Sequence, residues 1–234
     1  MPTTGTDLRR RLALALDVPD LDTATGLARD LAEWFGVAKV GLELYSAAGP
    51  AAIATMRDLG FDVFADLKLH DIPTTVGRAA RVLGRQGVRY LNFHAVGGVE
   101  MLRAGVDGLA EGAAEAGHEP PTGIGVTVLT SDSDTSAFDA RLEAAVASGC
   151  GGVVCSVHEI GRVHRVAPGF VTIVPGIRPA DGESHDQARV GTPEAVARAG
   201  GDVLVVGRAV TAAADPTAVA RRIFAAVRDD SGVQ

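Results

Sequence analysis

Three charged residues, Asp66, Lys68 and Asp71, form the strongest chemical signal in the sequence. They follow an apolar run that begins at Phe61 and is typical of a β-strand, in which side chains two residues apart share a face. A lysine between two carboxylates keeps its proton, because opposite charges within roughly 4 to 6 Å favour the charged form. Lys68 is therefore predicted to be a general acid beside fixed negative charge.

Two other interpretations of this cluster stay open from the residues alone. Imine chemistry requires a lysine whose pKa is lowered by desolvation or by a neighbouring cation, and the local sequence provides neither. A surface ion pair at a strand end is the second alternative, since such pairs are common and contribute little. The order of strand, charges and then Pro73, a residue suited to a first helical turn, favours a chemical role.

The elements that must position these residues alternate between apolar β-type runs and helical segments, such as Ala24, Leu27 and Leu31 at helical spacing. This alternation implies a parallel sheet covered by helices, and it predicts an α/β fold, a (β/α)8 TIM barrel with a single domain over residues 1–234. A doubly wound sheet is the alternative. The predicted strands are Leu12–Val18, Val37–Gly41, Phe61–Leu67, Val88–Ala95, Gly123–Leu129, Gly151–Cys155, Phe170–Val174 and Val203–Gly207.

Composition limits the class of protein. The net charge of −7 over 234 residues argues against a nucleic-acid partner, because nucleic-acid-binding proteins present a basic stripe. No stretch approaches the roughly 18 apolar residues of a membrane span, and the N-terminal apolar run stops at Asp17 without a cleavage site. We expect a cytoplasmic protein. Cys150 and Cys155 are predicted to be buried small apolar residues, and the spacing of the six histidines predicts no metal site.

In a barrel of this kind the active site lies at the carboxyl ends of the strands, and most of these ends are polar here. Taken singly, Asp17 also suits a turn, Lys39 a solvated side chain and Thr130 a helix N-cap. Their joint occurrence at strand ends is what indicates a site. The polar strand-end residues are Asp17, Lys39, Asp66, Lys68, Asn92, His94, Thr130, Ser131, Arg178 and Arg208.

A phosphate site is predicted after the last two strands. Gly176 and Gly207 are each followed within two residues by an arginine. Glycine lets backbone N–H groups approach an anion, and arginine adds a bidentate charge. The polar segment at about 178–191, which carries Gln187, is long for a passive connection and is predicted to be a lid that closes on the phosphate.

The pattern Asp66-x-Lys68-x-x-Asp71-Ile-x-x-Thr75 resembles the signature of orotidine 5'-phosphate decarboxylases. That family has the barrel fold, and it converts orotidine 5'-phosphate to UMP and carbon dioxide with neither a metal nor an organic cofactor. This reaction is the last step of de novo pyrimidine nucleotide synthesis. Six further segments resemble the family in order: Leu16-Asp17, Lys39-Val40-Gly41, Val126 to Ser131, Pro175 to Pro179, Asp186-Gln187-x-Arg189 and Val206-Gly207-Arg208.

The resemblance implies a role for each matching residue. Lys39, Asp66, Lys68 and Asp71 correspond to the family's charged catalytic network, with Lys68 as the proton donor. Asp71 and Thr75 would come from the partner subunit of a homodimer with shared active sites.

The remaining matches imply contacts with a nucleotide substrate. Asp17 and Lys39 would hold the ribose, and Thr130 and Ser131 the pyrimidine. The residues implied at the phosphate are Arg178, Gln187, Gly207 and Arg208.

Two alternative functions stay open. One is a metal-dependent enzyme similar to 3-keto-gulonate 6-phosphate decarboxylase, which shares the Asp-x-Lys-x-x-Asp pattern but has a glutamate near the end of strand two. Lys39 occupies that position here, which argues against this alternative. The other is a catalytically inactive barrel that binds a nucleotide.

Overall fold

The computed structural model describes residues 8–129, 134–179 and 191–230. Its eight strands are all parallel and close into a barrel in sequence order, which confirms the predicted (β/α)8 fold and shows that the doubly wound alternative is wrong. The strands are β1 (Leu12–Ala15), β2 (Val37–Gly41), β3 (Asp62–Leu69), β4 (Tyr90–His94), β5 (Thr122–Val126), β6 (Gly152–Val154), β7 (Val171–Val174) and β8 (Val203–Val206).

Helices surround the barrel, and none in the described ranges is long and apolar enough to cross a membrane. The helix predicted after the charged cluster is confirmed, and it begins at Pro73. The helices are α1 (Leu21–Leu31), α2 (Leu42–Ala48), α3 (Pro50–Asp58), α4 (Pro73–Arg85), α5 (Gly98–Glu115), α6 (Phe138–Ala147), α7 (Ile160–Val166), α8 (Pro193–Arg198), α9 (Arg208–Thr211) and α10 (Pro216–Asp230).

The strands are buried on both faces, so the protein has two apolar layers. Outward-facing residues such as Leu14, Val40 and Leu91 pack against the helices. Cys150 and Cys155 are buried free thiols, as predicted. The inner layer fills the barrel with Ala13, Ala15, Val37, Phe64, Tyr90, Ile124, Ile173, Val203 and Val205. Because side chains alternate along a strand, these inward positions determine which later residues face the carboxyl end of the barrel.

Helices α4 and α5 pack so closely that their backbones are in contact. A Cβ atom added at Gly108 would lie closer than 3.0 Å to the carbonyl oxygen of Gly77, and one at Gly112 would lie equally close to that of Arg81. On α4, a Cβ atom at Gly84 would meet the carbonyl oxygen of Leu109 in the same way. The close spacing of the two helices therefore depends on these glycines. Helix α4 begins at Pro73, two residues after Asp71.

We expect Gly112→Ala to lower the free energy of unfolding by about 1 to 3 kcal/mol, since the new methyl group must push the helices apart. Alanine is otherwise the better helix former by about 1 kcal/mol. Gly26→Ala in α1 is the matched control, because nothing lies within 4 Å of its Cβ position. That variant should gain stability. Urea denaturation of both variants measures the difference, and equal shifts would contradict the packing argument.

Candidate active site

A pocket of about 720 Å³ opens at the carboxyl ends of the strands. The alternation that fills the barrel also supplies the floor of the pocket. Lys39 lies two residues after inward-facing Val37, and Asp66 lies two residues after Phe64. In β1 the same spacing continues past the end of the strand to Asp17.

The pocket has one charged wall and one apolar wall. The inward residues at the ends of the first four strands are Asp17, Lys39, Asp66 and Asn92. Those at the ends of the other four are Val126, Val154, Ile173 and Val205. A ligand that fits this pocket must present polar groups to one side and a face that tolerates desolvation to the other.

The charged wall is a continuous network of ion pairs. The Nζ atom of Lys39 lies 2.9 Å from Oδ1 of Asp17 and 3.1 Å from Oδ2 of Asp66. The Nζ atom of Lys68 lies 2.6 Å from Oδ1 of Asp66. Three neighbouring strands thus bring together four charges of alternating sign.

The network keeps Asp66 and Lys39 ionised. Burial by itself would raise the pKa of Asp66, but the charges of Lys39 and Lys68 and hydrogen bonds from Lys68 and Asn92 lower it to about 2. Burial likewise opposes the charge on Lys39, yet the carboxylates of Asp66 and Asp17 outweigh that effect and raise the pKa of Lys39. Asp66 is therefore a carboxylate and Lys39 an ammonium at neutral pH.

Strand β3 is irregular where it delivers Lys68. Its pairing advances four residues, from Ala65 to Leu69, while β4 advances two, from Leu91 to Phe93. Within this bulge Lys68 has a φ of 49°, a left-handed conformation that is uncommon for residues other than glycine. The side chains of Asp66 and Lys68 converge as predicted. They do so through the bulge and the left-handed backbone at Lys68 rather than through the regular alternation of a flat strand.

Arginines line the side of the pocket formed after β7 and β8. Arg178 is buried and lies two residues after Gly176, whose φ of 76° favours glycine. Arg208 begins α9 directly after Gly207, and both residues line the pocket. Sequence reasoning missed Arg222, which reaches the same pocket from α10. Only the tertiary packing of this last helix brings Arg222 there, so no local motif marks it.

Other predicted site residues lie apart from the network or outside the described residues. Asp71 and Thr75 are exposed on the rim, and the Asp71 carboxylate accepts the backbone N–H of Ile72 at 2.6 Å rather than contacting Lys68 of its own chain. Thr130, Ser131 and Gln187 lie outside the described residues. So does the predicted lid, except for its ends at 178–179 and 191.

Within the described ranges, no three His, Cys, Asp or Glu side chains are grouped as metal ligands. In the pocket, the carboxylates of Asp17 and Asp66 both contact the Nζ atom of Lys39. Lys39 bridges them and already neutralises part of their charge.

Comparison with known proteins gives one consistent family. The model of the orotidine 5'-phosphate decarboxylase / HUMPS family matches residues 10–223. An orotidine 5'-phosphate decarboxylase from Anaeromyxobacter dehalogenans is 47% identical over 92% of this chain and 97% of the relative. One from Moorella thermoacetica is 44% identical over 93% and 92%. The crystal structure of the Lactobacillus acidophilus orotidine 5'-phosphate decarboxylase has a TM-score of 0.79 at 32% identity, covering 95% of this chain and 99% of that one.

The pKa of Asp66 predicts how the ion network responds to acid. A carboxyl group whose pKa falls from 3.8 to about 2 on folding stabilises the protein above pH 4, and this contribution is lost as the pH falls towards 2. For this largely buried group, the shift corresponds to a contribution of about 2 kcal/mol to the free energy of unfolding. The difference in unfolding free energy between wild type and Asp66→Asn should therefore shrink by about 1 kcal/mol between pH 6 and pH 3. Urea denaturation across this range measures it, and a constant difference would contradict the assigned pKa.

Proposed function

The chain belongs to the orotidine 5'-phosphate decarboxylase / HUMPS family, and on that premise we propose that it is a lyase that converts orotidine 5'-phosphate to UMP and carbon dioxide. We assign this reaction to the cytoplasm, as the last step of de novo pyrimidine nucleotide synthesis. The observation that carries the proposal is the Lys68 ammonium group, held 2.6 Å from the Asp66 carboxylate in a pocket that arginines line beyond the ends of β7 and β8.

The shape and charge of the pocket suit the substrate from end to end. Arg178 and Arg208, with Gly207, supply cations and an accessible backbone for the phosphate, and Gln187 would join them. The apolar wall suits the flat pyrimidine ring, and Thr130 and Ser131 would bind its polar edge. Asp17 and Lys39, at the start of the charged wall, would bind the ribose hydroxyl groups.

The charged network can carry out the chemical step without further groups. As the bond between the ring carbon and the carboxylate breaks, its electron pair stays on the ring carbon and carbon dioxide leaves. The Lys68 ammonium stabilises this negative charge and then donates a proton to the carbon. Two unit charges about 4 Å apart interact by roughly 4 kcal/mol at an effective dielectric constant of 20, so placement of Lys68 matters.

Asp66 has a supporting part in the same step. Because its pKa is about 2, it does not take the proton from Lys68 before the ring carbon does. In the proposed complex, Asp66 would also lie close to the departing carboxylate. Phosphate contacts far from the reacting carbon would supply binding energy for closing the site.

The name of the family covers more than one activity, so the choice within it rests on the site. The metal-dependent alternative has a glutamate near the end of strand two. In this chain that place is held by Lys39, whose ammonium group lies between Asp17 and Asp66. A cation already occupies the position where two carboxylates would otherwise favour a divalent metal ion.

We also infer a homodimer in which Asp71 and Thr75 complete the partner's site. Both residues are exposed, and Asp71 does not reach Lys68 of its own chain. Apolar residues after the ends of neighbouring strands are also exposed. Leu42, Ile72 and Val96, each more than half exposed, follow β2, β3 and β4. Burying these side chains would favour association through this part of the rim.

The purified protein should release carbon dioxide from orotidine 5'-phosphate in the presence of EDTA, because Lys39 and Lys68 supply the positive charge. UMP formation is monitored through the loss of orotidine 5'-phosphate absorbance. Lys68→Ala, prepared in parallel, controls for enzyme from the expression host and should be slower by orders of magnitude while still binding UMP. Activity that EDTA abolishes and magnesium restores would favour the metal-dependent alternative. Binding of UMP without turnover would favour an inactive nucleotide-binding barrel.

Mixing two inactive variants tests the shared site. In a mixed dimer of Lys68→Ala and Asp71→Ala, one site carries both lesions and the other carries neither. Random pairing makes half of the dimers mixed, so about a quarter of wild-type activity should return under two-fold symmetry. Mass-tagged subunits verify the exchange. Verified mixed dimers without recovered activity would show that Asp71 acts within its own chain.

A further inference from the structure

One buried amide contacts both members of the Asp66–Lys68 ion pair. Asn92 is completely buried on β4 and faces the barrel interior, two residues after Tyr90. Its Nδ2 atom donates a hydrogen bond to Oδ1 of Asp66 at 2.7 Å. Its Oδ1 atom accepts the backbone N–H of Lys68, also at 2.7 Å. Asn92 thus bonds the side chain of one partner and the backbone of the other.

The bond to Lys68 falls where β3 is irregular. Lys68 lies in the bulge, with a φ of 49° that a lysine adopts only when the surrounding structure holds it. Its N–H is bound by the Asn92 side chain rather than by a carbonyl group of the neighbouring strand. Without this acceptor, we expect the bulge to relax towards regular strand pairing. The Lys68 side chain would then point in a different direction.

The bond to Asp66 sets the orientation of the carboxylate. Oδ1 of Asp66 receives two donors, Nζ of Lys68 at 2.6 Å and Nδ2 of Asn92 at 2.7 Å. Oδ2 faces Nζ of Lys39 at 3.1 Å. The donors approach from three strands, so the carboxylate cannot turn without breaking one of these contacts. The position of the Lys68 ammonium follows from that orientation.

We propose that Asn92 is a positioning residue for proton transfer, which holds the Lys68 ammonium at the reacting carbon through its two hydrogen bonds. This inference rests on the proposed decarboxylase function. It assigns Asn92 no contact with the substrate. Its effect should therefore appear in the chemical step rather than in substrate binding.

Asn92→Leu, which keeps the approximate volume and removes both hydrogen bonds, should lower kcat on the order of 100-fold, because a displacement of about 1 Å has that effect on a positioned group. KM and the Kd of UMP should change less than about threefold. Thr172→Val is the matched control: Thr172 is equally buried, near the amino end of β7, and bonded to Asp202 instead of the site. It should lose stability and keep kcat.

Asn92→Asp separates positioning from packing, because the introduced side chain has the same shape. When ionised, it still accepts the N–H of Lys68 but repels Asp66. When protonated, its hydroxyl group donates to Asp66 and restores the wild-type pattern. The kcat deficit of this variant relative to wild type should therefore shrink about tenfold or more between pH 8 and pH 5, whereas that of Asn92→Leu should stay constant.

The outcomes separate this inference from the function on which it rests. Wild-type protein that does not turn over orotidine 5'-phosphate would overturn both. Active wild-type protein with an Asn92→Leu kcat within threefold of normal, or a pH-independent deficit in Asn92→Asp, would overturn the role of Asn92 alone. The Asn92→Asp variant decides the question if Asn92→Leu does not fold.

Discussion

The site depends on one carboxylate, that of Asp66, placed between two ammonium groups inside a barrel that is otherwise apolar at its centre. Buried charge is tolerated only when it is paired and hydrogen-bonded, and Asp66 meets both conditions through Lys39, Lys68 and Asn92. The four charges from Asp17 to Lys68 sum to zero. Removing one of them leaves an uncompensated charge on its neighbour, so the network behaves as a unit.

The barrel gives this network its position through the alternation of side chains along the strands. Inward residues fill the interior with apolar groups, and at the carboxyl ends of the first four strands the inward residues become polar or charged. Only the first four strands end in polar or charged inward residues. The same rule that packs the core therefore also produces a pocket with one charged wall and one apolar wall.

Much of this arrangement is predictable from the sequence because it depends on local patterns. Eight apolar runs give the strands, and Asp17, Lys39 and Asp66 follow from listing what each strand ends with. The bulge at Lys68 was not predictable, since its left-handed backbone depends on a side chain from another strand. Arg222 was missed for a similar reason: its helix packs against the pocket only in the folded chain. The sequence places Asn92 at a strand end, but its hydrogen bonds to Asp66 and Lys68 depend on the fold.

The glycine contacts between α4 and α5 also have an evolutionary consequence. Side chains between helices usually absorb mutations by changing rotamer or volume, but two backbones in contact leave nothing to adjust. A larger residue at Gly108 or Gly112 can therefore become neutral only after a second change elsewhere has already separated the helices. The order in which substitutions arise in these two helices therefore matters. The same constraint applies to the segment that carries Asp71, because α4 begins directly after it.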